Sequence, residues 1–67
     1  METKIRYYRE LNNMTQEELS QKSGVSRTII SGLENGTLDT TTNTTMKKIS
    51  DALRVGIMEL FYSKNVQ

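Results

Sequence analysis

Five residues, Arg27, Thr28, Ser31, Gly32 and Asn35, fall on one side of a short predicted helix. At about 100° per residue they oppose Ser26, Ile29, Ile30 and Leu33, the side that must face a core. Arginine offers a planar fork of N–H donors, threonine and serine offer hydroxyls, and asparagine offers an amide. This is the chemistry of reversible, hydrogen-bonded recognition. Bond-making chemistry has no comparable set. The chain contains no His and no Cys. That removes the commonest general base, the usual zinc ligands and any disulfide. There is no Gly-rich phosphate loop and no cluster of carboxylates, so a catalytic site has nothing to be built from. The expectation is a non-enzymatic chain with no cofactor and no metal.

The elements that must position the polar strip are encoded in Thr15–Gly36, TQEELSQKSGVSRTIISGLENG. Thr15 is expected to cap a helix, with Glu18 completing a capping box and Met14 and Leu19 forming the flanking hydrophobic staple. Ser23-Gly24 ends that helix, because glycine enters the left-handed region without a Cβ penalty. Ser26 then caps a second helix, and Val25 with Ile30 repeats the staple. Asn35-Gly36 stops it. Two short helices joined by a tight glycine-containing turn form a helix-turn-helix unit. Its second helix has the size and shape to enter the major groove of double-stranded DNA.

Around this pair the sequence predicts three further helices. The first covers about Lys4–Asn12, with Ile5, Tyr8 and Asn12 on one face and Asn13 as a left-handed cap. After the third comes a Thr-rich loop, TLDTTTNTT, closing on an N-cap at Asn43 or a neighbour. The fourth helix covers about Thr44–Leu53, with Met46, Ile49 and Leu53 inward; the fifth covers about Ile57–Tyr62, with Ile57, Leu60 and Phe61 inward. Met14, Met46 and Met58 read as core filler. No alternating β-branched run suggests a strand.

The segment Thr15–Gly36 resembles the helix-turn-helix of the phage Cro and lambda-repressor type, the XRE family. IRYYRELNNM (Ile5–Met14) resembles that family's first helix, and MKKISDALRVGIMELF (Met46–Phe61) its last two. The resemblance covers about residues 4–62. It implies an all-α, compact five-helix lambda-repressor-like domain, with helices 2 and 3 forming the DNA-binding unit and residues 63–67 a frayed tail. It further implies a sequence-specific transcriptional regulator, a repressor, of bacterial or phage origin. The recognition helix, about 27–34, would lie in the major groove of a near-palindromic site bound by a homodimer.

Carried over residue by residue, the resemblance implies base contacts from Arg27 and Thr28, with Ser31 a lesser candidate. Arg27 has the donors to pair with the O6/N7 edge of guanine. Gln16, at the first turn of the second helix, is implied to bond a phosphate and to brace a base-reading residue. Asn35 is implied to meet the DNA backbone. The loop after it, where the family places Lys or Arg, has none. Thr37 and Thr40 either bond phosphates through their hydroxyls or leave the loop clear of DNA. Binding is therefore expected to depend only shallowly on salt. Arg9 and Glu34 are implied to form a largely buried ion pair joining the first and third helices. Gly32 departs from the longer base-reading side chain common in the family; it either lets the helix approach closely or marks an absence of contact. Arg54 and Gly56 reverse a familiar order, so the fourth helix should end less favourably, leaving the last helix looser or tied to a dimer partner.

Length and charge fit one small domain. The chain has 67 residues and a formal net charge of only +1. With so little net charge its distribution matters more than the sum, and Glu10, Glu17, Glu18, Asp51 and Glu59 are expected away from DNA. Lys47 and Lys48 read as a solvated face, and Tyr7 and Tyr62 as partner-facing. Apolar runs are too short to span a membrane, and METKIRYYRE lacks the apolar stretch of a signal peptide, so a cytoplasmic protein is expected. No small-molecule effector is suggested. An alternative reading is an antitoxin-type module that binds a partner protein and regulates its own expression.

Overall fold

The computed structural model describes Glu2–Tyr62 and consists of helices joined by short turns. In chain order these are α1 (Ile5–Leu11), α2 (Gln16–Ser23), α3 (Arg27–Asn35), α4 (Asn43–Leu53) and a one-turn π-helix (Met58–Tyr62). No strand occurs among the described residues. The tail expected at 63–67 lies outside them.

Local chemistry explains most boundaries. Asn13 ends the α1 turn in the left-handed region at φ 56°. Thr15 and Glu18 form the reciprocal capping box, with Glu18 N donating to Thr15 Oγ1 at 3.0 Å and Thr15 N donating to Glu18 Oε1 at 2.8 Å. Gly24 closes α2 and Gly36 closes α3, at φ 76° and 83°. The cap of α4 is Thr42 rather than Asn43: its Oγ1 accepts from Thr45 N at 3.1 Å, so Asn43 is already helical. The fifth helix is a single π turn one residue shorter than expected.

The core is one cluster of Ile5, Leu19, Val25, Ile30, Leu33, Met46, Ile49, Leu53, Leu60 and Phe61. α2 packs against both α3 and α4, and α1 against α3. The helix-turn-helix thus rests on a platform made by the rest of the chain. Two inward assignments need correction. Met58 is exposed, because the π turn inserts Leu60 and Phe61 and leaves its own first residue outside. Ser26 is also exposed, since its hydroxyl is occupied in capping α3.

Polar contacts close the molecule end to end. Lys4 N donates to the Leu60 carbonyl at 2.8 Å, and the Tyr8 hydroxyl donates to Glu59 Oε2 at 2.8 Å. Glu59 therefore serves as a clamp between α1 and the π turn, also facing Lys4 Nζ at 3.5 Å. Thr3 Oγ1 donates to the Leu33 carbonyl at 3.3 Å, tying the segment before α1 to α3.

Candidate nucleic-acid interface

The two helix caps set the outward geometry. Ser26 Oγ accepts from Ile29 N at 3.2 Å, which fixes where α3 starts. Arg27 and Thr28 occupy its first two positions, and both are exposed. The capping box does the same for α2 and places Gln16 at its first position. The starts of α2 and α3 lie side by side: Arg27 Nε donates to Gln16 Oε1 at 3.4 Å.

Behind this contact sits the charged pair. Arg9 Nε and Nη2 donate to Glu34 Oε2 and Oε1 at 2.7 and 3.0 Å, a bidentate arrangement. Arg9 Nη1 donates to the Met14 carbonyl at 2.7 Å. The two side chains are 11% and 5% accessible, so the pair is shielded from water. The hydrogen bond to Glu34 holds the Arg9 guanidinium above its ordinary value, against the opposing effect of burial. Gln16 Nε2 also donates to Glu34 Oε1, at 3.1 Å.

The remaining residues singled out from the sequence lie in the second half of α3 and in the loop after it. Ser31 is half-buried; Asn35, Thr37 and Thr40 are exposed. Asn35 Oδ1 accepts from Thr37 N at 3.0 Å, which shapes the turn after α3 and leaves the amide nitrogen as its donor. Gly32 is not part of the open strip. It is buried, and an added Cβ would lie 2.7 Å from Leu38 Cγ and 3.3 Å from Thr37 Oγ1. The Leu38 N–H returns to the Gly32 carbonyl at 3.2 Å. The loop thus folds back onto α3, and glycine is there to seat a leucine. Gly32 therefore faces Leu38 rather than open solvent. A helical wheel does not reveal Leu38, because it describes one helix at a time. The available signal was a lone leucine in a threonine-rich loop, a few residues after a mid-helix glycine.

Two capped helices crossing at a glycine turn, with polar residues at adjoining N-termini, define a helix-turn-helix protein. The helix-turn-helix family model matches residues 5–60, and the chain belongs to this family, in its XRE form, a group of DNA-binding transcription regulators. One relative is an uncharacterised HTH-type transcriptional regulator of Methanocaldococcus jannaschii, 51% identical over 39 residues. That match covers 58% of this chain and 59% of the relative, so the chain spans less than two thirds of that protein's length.

Proposed function

We propose that the protein binds double-stranded DNA sequence-specifically and acts as a transcriptional repressor, with α3 lying in the major groove. The observation that carries this is the exposed guanidinium of Arg27 at the start of α3, braced from one side by Gln16. An α-helix with its side chains is about 10–12 Å across, matched to a groove about 12 Å wide. Arg27 and Thr28 read base edges, with Ser31 contributing. Gln16, Asn35, Thr37 and Thr40 meet the phosphate backbone. Leu38 over Gly32 confines base reading to the first half of α3.

The described body measures 30 × 23 × 19 Å. Half-sites one turn of duplex apart are separated by about 34 Å. One copy therefore fits one half-site, and a homodimer fits a near-palindromic operator. Four large apolar side chains, Tyr7, Leu11, Met58 and Tyr62, are more than half exposed, which supports pairing. They support equally the second reading, a module whose partner is a different protein. Purification from the native host separates the two, since an antitoxin-type module carries a second polypeptide with it.

The direct test is Arg27→Ala on a duplex selected from a random library by the wild-type chain. We expect selective binding to fall by about tenfold or more while binding to random DNA changes little, as for loss of a bidentate base contact. Equal loss on both would reduce Arg27 to a phosphate contact.

A further inference from the structure

The hydrogen bonds that start at the buried ion pair do not stop there. They run from Arg9 to Glu34, from Glu34 to Gln16 and from Gln16 to Arg27, over 2.7, 3.1 and 3.4 Å. Each member has a different capacity. A carboxylate paired with a guanidinium only accepts, and a guanidinium only donates. The Gln16 amide does both, but with its oxygen and nitrogen at opposite ends. Only one orientation satisfies both neighbours: Nε2 toward Glu34 and Oε1 toward Arg27. A flipped amide would set oxygen against carboxylate and nitrogen against guanidinium, losing both bonds. At ordinary precision the two orientations of a glutamine are told apart by such partners alone, and here both partners agree.

We propose that Glu34 is a positioning residue for recognition, acting through Gln16 on Arg27. By fixing the amide, Glu34 presents a carbonyl oxygen to Arg27 Nε. Arg27 is then held by its inner nitrogen, which leaves its two terminal nitrogens, with no partner among the described residues, available as an end-on fork. One N–H of Gln16 remains for a phosphate. The core ion pair thus sets which edge of Arg27 meets the base, and a residue that never touches DNA contributes to specificity. This role rests on the DNA-binding function proposed above.

Two variants of the full chain and two readouts test it. Glu34→Gln removes the acceptor-only partner. The double variant Arg9→Met, Glu34→Leu replaces the ion pair by apolar side chains, an exchange that folded proteins often tolerate. It therefore gives a folded protein without the carboxylate if the single variant unfolds. The first readout needs no DNA: the order parameter of the Gln16 side-chain amide by nitrogen-15 relaxation. We expect a rigid amide in the wild type and a mobile one in either folded variant. The second readout is discrimination between the selected duplex and the same duplex with the Arg27-read guanine replaced. We expect discrimination to fall about tenfold, with affinity for random DNA within about twofold. A mobile Gln16 amide in the wild type overturns the proposal, whatever happens on DNA. So does a folded double variant that keeps full discrimination. A wild-type chain that selects no duplex overturns the functional reading and this role with it, a failure distinguishable because it appears before any substitution.

Discussion

The helix-turn-helix and the C-terminal third of the molecule are held in shape by different means. α2 and α3 each carry an N-cap hydroxyl that accepts from the third residue of its helix, and each ends on a left-handed glycine. Their boundaries are written into a few adjacent residues. α4 starts the same way on Thr42 but ends on Arg54, a non-glycine residue at φ 59°. The π turn after it carries no such cap. It is held by Lys4, by the Tyr8–Glu59 bond and by insertion of Leu60 and Phe61 into the core. The difference teaches where precision is needed. The surface that presents Arg27 is set by short-range chemistry and stiffened from behind by a buried pair. The distal end is positioned by contacts with α1 and carries the exposed side chains of Met58 and Tyr62.

The sharpest way to break this contrast is at the buried pair. Arg9→Ala strands the Glu34 carboxylate and should cost about 3–5 kcal/mol. For a domain of this size that is a fall in melting temperature of more than about 10 °C. A change within error would mean that the recognition half does not depend on the pair. Next is Gly32→Ala. Alanine favours a helix over glycine by about 1 kcal/mol, yet here the new methyl meets Leu38 at 2.7 Å. We expect a net loss of about 1–2 kcal/mol in chemical denaturation, from displacement of the loop. A gain in stability would show that the Leu38 cover is dispensable.

Smaller effects probe the distal half. Arg54→Gly should stabilise the fold by about 0.5–1 kcal/mol, because glycine occupies the left-handed region without the Cβ clash. No gain would show that the α4 terminus is already relaxed around arginine. The last concerns pH. The Tyr8 phenol is held above its ordinary value of 10.0, chiefly by its hydrogen bond to Glu59. The protonated phenol is the bonded form, so the clamp is intact below the usual tyrosine range. It is lost as pH rises through the higher folded value. Ultraviolet titration in a Tyr7→Phe, Tyr62→Phe background should show late ionisation of Tyr8, and Glu59→Gln should bring it earlier.

Much of the fold follows from the chain read on its own. Caps, glycine stops and inward apolar residues locate α1 to α3 to within a residue or so, because each signal acts over three or four positions. The start of α4 is ambiguous for the same reason: within TTTNTT several neighbours have cap chemistry, and which one is used depends on where Met46 and Ile49 must be buried. Met58 reads as core filler only from its residue type; the helical spacing singles out Ile57, Leu60 and Phe61, and Leu60 and Phe61 are buried while Met58 is exposed. A helical wheel puts Gly32 on the outward side because its covering residue comes from the following loop.

The amino-acid order thus determined an all-helical chain, the placement of its helix-turn-helix, and a strip of donors along α3. Those properties arise from torsional preferences and from apolar periodicity along one segment. Tertiary structure alone decided that Leu38 covers Gly32 within that strip, that Glu59 bridges α1 to the far end, and that Glu34 reaches Gln16 and through it Arg27. Each joins residues distant along the backbone, and a hydrogen bond or a steric cover exists only once the core has brought its partners within a few ångströms.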